Sequence, residues 1–287
     1  MTRLGAAATV LFALCFVTLS GCTSEQTVDF DPFDVGGRSG SQPISYDTLM
    51  RVAAAAHAGG DLAGAVAIYR RAAELDPNTP APFVALGNTL LEMGQSNEAI
   101  LAFQSALVRR ESDPEALRGL AKAYLNTGRP ELAGAPLQLA YRSTPDDPKL
   151  LQLIGVADDL VGQHREAQAR YRRGLELLPQ DPGLTINLAL SVALTGNYTE
   201  AIQQLRPMAT APTGTPRQRQ TLALIYGLAG DRKSAEQMAR LDLDPASVQH
   251  NLAYYESLQR LSPEARVRAL QPFSDTVRNH TAVQDRQ

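Results

Sequence analysis

From residue 46 onward the apolar positions fall three and four residues apart, the stripe of an amphipathic helix. The pattern returns every 34 residues without insertion or deletion to about residue 249. Counted from Tyr46, the seventh position is apolar in every unit: Val52, Leu86, Leu120, Ile154, Leu188 and Leu222. The eighth is small: Ala53, Gly87, Ala121, Gly155, Ala189 and Ala223. A small residue there lets a second helix come close. The twenty-fourth is large and apolar in five units, Tyr69, Phe103, Leu137, Tyr171 and Leu205, and is Ala239 in the sixth. Such a side chain fills the gap between units. The period therefore predicts six antiparallel helix pairs, starting near residues 46, 80, 114, 148, 182 and 216. The fold class is all-α, a superhelical solenoid in which each unit buries its apolar face against its neighbours.

Fixed glycines and alanines punctuate the frame. The fifteenth position is Gly60, Gly94, Gly128, Gly162, Gly196 and Gly230, where the chain turns between helices and a left-handed backbone costs glycine little. The twentieth is Ala65, Ala99, Ala133, Ala167, Ala201 and Ala235, on the second helix, where a larger side chain would hold its partner away. Pro77, Pro145 and Pro179 end the second helix of their units. Glu111 takes that place in the second unit and Pro212 comes one residue early in the fifth, so looser junctions are expected there. A small eighth residue, Gly at fifteen, Ala at twenty and Pro at thirty-two together resemble the tetratricopeptide-repeat pattern over residues 46–249.

In the sixth unit Asp242 replaces a small or apolar residue, so this unit degenerates toward a cap. Asp244 and Pro245 have the N-cap and first-turn chemistry of a new helix, with Val248, Leu252, Tyr255 and Leu258 on one face. A second start at Ser262-Pro263-Glu264 leads to Val267 and Leu270. Capping helices are thus expected over 245–271, followed by a polar tail, 272–287.

The other end obeys a different logic. Arg3 precedes an apolar run, Leu4 to Val17, too short for a comfortable membrane span, and Leu19-Ser20-Gly21-Cys22 resembles a bacterial lipobox. The layout predicts a signal peptide over 1–21 and lipidation of Cys22. Two or more acyl chains give durable anchoring, each buried methylene being worth about 0.8 kcal/mol. Cys15 leaves with the signal, so the mature chain keeps no free thiol and no disulfide framework. Residues 22–45, rich in Gly, Ser, Asp and Gln, read as the lipidated cysteine and a flexible linker. Neither its acidic residues nor its glycines have the spacing of a cation or phosphate loop.

Composition adds exclusions. A formal charge of −3 with no basic block excludes a nucleic-acid footprint. His57, His164, His250 and His280 are far apart in the sequence and share no i,i+4 pairing with each other, so neither a metal nor any other cofactor is expected. No nucleophile or phosphate motif is present, and the chain is read as non-catalytic. The first helices should instead line a groove through Val84, Asn88, Arg118, Lys122, Asn126, Gln152, Asp159, Asn187 and Leu190. Among these, Asn88, Arg118, Lys122, Asn126 and Asn187 could hold the carboxylate or backbone of an extended peptide.

The stretch from Met238 to Pro245, MARLDLDP, followed by VQHNLAYY from Val248 to Tyr255, resembles the C-terminal part of the TadD family, the repeat lipoproteins of tight-adherence (Flp) pilus assembly. That resemblance implies a pilotin-like or scaffold role at the periplasmic face of the outer membrane. It implies as partners the protein components of a pilus secretion machine, a secretin among them. Other envelope lipoproteins of the same build are the alternative: type IV pilus pilotins, outer-membrane assembly scaffolds, or regulators of cell-wall enzymes.

Overall fold

A computed structural model describes residues 44–270, which are helical throughout, with no strand among the described residues. The signal peptide, Cys22, the linker up to residue 43 and the tail after 270 lie outside the described residues. Six helical hairpins follow one another: α1 Tyr46–Ala58 with α2 Leu62–Leu75, α3 Ala81–Glu92 with α4 Ser96–Arg109, and α5 Pro114–Asn126 with α6 Pro130–Ser143. Then come α7 Pro148–Leu160 with α8 His164–Leu177, α9 Pro182–Leu194 with α10 Tyr198–Ala209, and α11 Pro216–Leu228 with α12 Arg232–Ala239. A further helix, α13 Pro245–Gln259, closes the stack, and α14 runs over 263–270. The all-α solenoid expected from the 34-residue period is the architecture observed.

Local chemistry sets the helix starts. Asp113, Asp147 and Asp181 cap α5, α7 and α9, accepting the backbone N–H of Ala116, Lys149 and Leu184 at 2.9, 2.9 and 2.7 Å. The next residue in each case is a proline in the first turn, where its missing N–H costs nothing. Thr215 and Gln218 form a reciprocal capping box at α11. Within the hairpins, all six turn glycines have φ between +68° and +84°. That is backbone a side chain would strain.

The small positions are small because rings lie against them. Ala65, Ala99, Ala133, Ala167, Ala201 and Ala235 are all completely buried. A Cβ on Gly87 would stand 2.7 Å from the Phe103 ring, and one on Gly119, in the next hairpin, 2.3 Å from it. Phe103 is therefore held between two first helices of successive units. Tyr171 stands in the same relation to Gly155, at 2.4 Å.

Two positions depart from the frame. Val52 is exposed, because the first hairpin has no described unit before it to receive the seventh-position side chain. Val84, expected in the groove, is buried in the core with Leu86, Leu90 and Phe103. The sixth unit is short: α12 has eight residues. Here Asp242 has a specific task, receiving Nε and Nη2 of Arg219 and the amide of Gln220, with side-chain exposures of only 10% for Asp242 and 18% for Arg219. A charged pair thus joins the start of α11 to the chain between α12 and α13.

Candidate functional site: the groove of the first helices

One cavity of about 660 Å³ runs across the first helices of units two to six. Its lining comes from α3, α5, α7, α9 and α11, joined by Tyr171 of α8 and by Val267 and Leu270 of α14. Asn88, Arg118, Lys122, Asn126 and Asn187 all face it, as do Gln152, Asp159 and Leu190. The 34-residue period brings them together, since equal positions on successive first helices stack in register. A second cavity, about 310 Å³, continues toward the first unit and shares Asn88 and Lys122 with the larger one.

The groove has two kinds of wall. Toward units two to four its charged and amide side chains gather, Asn88, Glu115, Arg118, Lys122, Asn126, Lys149 and Gln152, with Leu125, Leu153, Val156 and Leu160 among them. Toward units five and six the wall is more apolar, with Ile186, Leu190, Leu194 and Leu224 beside Asn187, Arg217 and Thr221. Of these apolar residues only Leu190 falls at a groove position expected from the sequence. The signal was present in α9, whose sequence PGLTINLALSVAL is apolar on nearly every side. Arg118 is less available than its position suggests, since its Nη1 donates to Asp147 at 2.8 Å and Nη2 lies 3.9 Å from Glu115.

At the middle of the groove Asp159 of α7 gathers three side chains from two helices, α8 and α9. The Tyr171 hydroxyl donates to Oδ2 at 2.9 Å, the Ser191 hydroxyl to Oδ1 at 2.7 Å, and His164 Nδ1 meets Oδ1 at 2.8 Å. Burial and the Asp159 carboxylate push the Tyr171 phenol well up. Next to this centre, burial raises the Asp158 carboxyl to about 6, against the pull of Arg170. Ser, His and Asp are together here, but Ser191 bonds the carboxylate and the backbone oxygen of His164, not an imidazole nitrogen. The nucleophile–base contact that acyl transfer needs is not made. The cluster ties α7, α8 and α9 into one wall.

Two histidines do pair with acids, by routes an i,i+4 search does not cover. His164 reaches five residues back across a turn, and His57 Nε2 lies 3.0 Å from Glu92 of the next unit. Among the described residues no three His, Cys, Asp or Glu side chains are grouped to hold a metal, and no helix is long and apolar enough to cross a membrane.

A rigid stack of helix pairs presenting one long, chemically divided groove defines a helical-repeat scaffold built for protein–protein interaction. The tetratricopeptide repeat family matches residues 84–148 and 161–212, and a second TPR repeat family matches residues 55–94. The chain belongs to the tetratricopeptide-repeat proteins. It is 36% identical over 98 residues to cellulose synthase operon protein C of Xanthomonas axonopodis pv. citri (strain 306), a match that covers 34% of this chain and only 6% of that protein. A tetratricopeptide repeat protein from Parabacteroides merdae superposes with a TM-score of 0.61 at 14% identity, covering 75% of this chain and 86% of that one. PilF of Pseudomonas aeruginosa gives 0.59 at 19% identity, covering 73% and 97%. At these identities the two structures speak for the fold alone.

Proposed function

We propose that this chain is a non-catalytic lipoprotein that holds an extended segment of another envelope protein in the groove of its first helices, acting as a pilotin-like or scaffold factor in Flp pilus assembly. The observation that carries the binding mode is the convergence of Lys122, Asn126, Asn88 and Asn187 on one cavity whose far end is more apolar. Amide side chains satisfy the backbone of an extended peptide, and a cation favours a carboxylate at the polar end. The apolar end then takes the hydrophobic side chains that give most binding energy. The pilus setting rests on the lipobox at Cys22 and on the resemblance of residues 238–255 to the TadD family. In this reading acyl chains on Cys22 fix the solenoid to the periplasmic face of the outer membrane, and the groove keeps a secretin or another machine component beside it.

The test is co-purification from the gently solubilised native envelope, with the wild type and the Lys122→Glu and Asn187→Ala variants in parallel. Recovery of a secretin or other Flp components with the wild type, reduced at least tenfold in the variants, supports the proposal. Recovery of cell-wall enzymes or general outer-membrane assembly factors overturns the pilus role. Recovery undiminished by both substitutions overturns the groove as the binding surface.

A further inference from the structure

One side of the more apolar part of the groove is covered by the chain itself. After α13 the backbone turns at Ser262, and α14 comes back to place Val267 and Leu270 on the lining of the same cavity as Leu190, Leu194 and Leu224. Leu270 joins the cluster formed by Leu224, Leu228 and Leu252. The Arg266 guanidinium donates to the Tyr198 hydroxyl, 68 residues earlier, and to the Leu258 carbonyl oxygen. The Tyr254 hydroxyl donates to the Ala269 carbonyl oxygen at 2.7 Å.

The two C-terminal helices are held very differently. The cap α13 buries Val248, Leu252, Tyr255 and Leu258, each at 2% exposure or less. Over residues 263–270, α14 buries two apolar side chains, each at 7%. With so few buried anchors among its described residues, α14 is held to the stack more weakly than α13.

We infer that the groove between α9, α11 and α13 is a docking site for a short amphipathic helix, filled in cis by residues 263–270, and that a partner segment of the same pattern takes the site by exchange. The pattern is read from α14: a basic residue, an apolar residue beside it and a second apolar residue three further on, as in Arg266, Val267 and Leu270. This rests on the reading of the groove as a protein-binding surface and names the chemistry of what enters its apolar end.

The probe is a fluorescein-labelled synthetic peptide of residues 261–272, titrated into the full chain and followed by anisotropy. In the wild type the intramolecular copy competes at high effective concentration. In Val267→Asp/Leu270→Asp the site is vacated, and the peptide is expected to bind at least tenfold more tightly. Hydrogen exchange should show 263–270 unprotected in that variant and α11 to α13 as protected as in the wild type. Should the double variant lose α11 to α13 as well, Arg266→Ala decides, with about threefold tighter binding expected from loss of its bonds to Tyr198 and Leu258. Equal affinity for wild type and vacated chain, or no binding to the vacated chain, overturns the inference. Lys122→Glu, at the polar end, should leave the peptide's affinity unchanged while it disrupts co-purification, so the helix site and the partner groove fail separately.

Discussion

Gly119→Ala adds a single methyl group to the first helix of the third hairpin. Its Cβ would stand 2.3 Å from two atoms of the Phe103 ring and 2.8 Å from a third. The ring is completely buried and closed on its other side by Gly87, so it has no direction in which to yield. Overpacking of this kind costs about 1–3 kcal/mol. Against it stands a gain of about 1 kcal/mol, because alanine is the better helix former. The net loss is about 0–2 kcal/mol, which for a chain of this size lowers Tm by up to about 8 °C. Gly134→Ala is the control. Gly134 lies in the interior of α6, is exposed, and an added Cβ meets nothing within 4 Å. Only the helix term acts there, and a gain of about 0.5–1 kcal/mol is expected. Thermal and urea unfolding followed by circular dichroism at 222 nm would compare the two. A Gly119→Ala protein as stable as Gly134→Ala would refute the claim that the ring selects glycine at this position.

Three further substitutions probe other features. Asp158→Asn removes a carboxyl whose pKa burial lifts from 3.8 to about 6. The unfolded chain ionises first as pH rises, so the wild type loses stability between about pH 4 and 6. The variant should gain about 1 kcal/mol at pH 7.5, allowing for solvent access, and nothing at pH 4; urea midpoints at both values check the sign. Asp242→Ala strands the Arg219 guanidinium and should cost about 3 kcal/mol, seen as faster hydrogen exchange in α11 to α13 while α3 to α6 are unaffected. Cys22→Ser should move the protein from the membrane to the soluble fraction on sucrose flotation, with its melting curve unchanged.

The fold was legible because its rules are local and repeated. A glycine at every fifteenth position and an alanine at every twentieth set turn and contact in each unit, and six copies of a weak signal make a strong one. The groove was partly legible for the same reason, since equal positions on successive first helices must stack. Three things were not. Val84 obeys the same positional rule as Arg118 and Gln152, but its side chain belongs to the core. The Asp159 centre joins residues 5, 12 and 32 apart, across a turn, a hairpin and a unit boundary, and no single helical spacing covers these. The return of α14 depends on Arg266 meeting Tyr198 two units earlier, whereas amphipathic pattern says only that Val267 and Leu270 will be covered, not by what.

That return gives the molecule an order in time. Chains are made from the N-terminus at about 5–20 residues per second. The groove wall is finished when Leu194 of α9 and then Leu224 of α11 are in place, whereas Leu270 comes 46 residues after Leu224. Translation alone thus separates them by about 2–9 s. For that interval a nascent chain carries an open apolar slot with no helix of its own to fill it. A partner that arrives early meets no competitor, and one that arrives late must displace a tethered one.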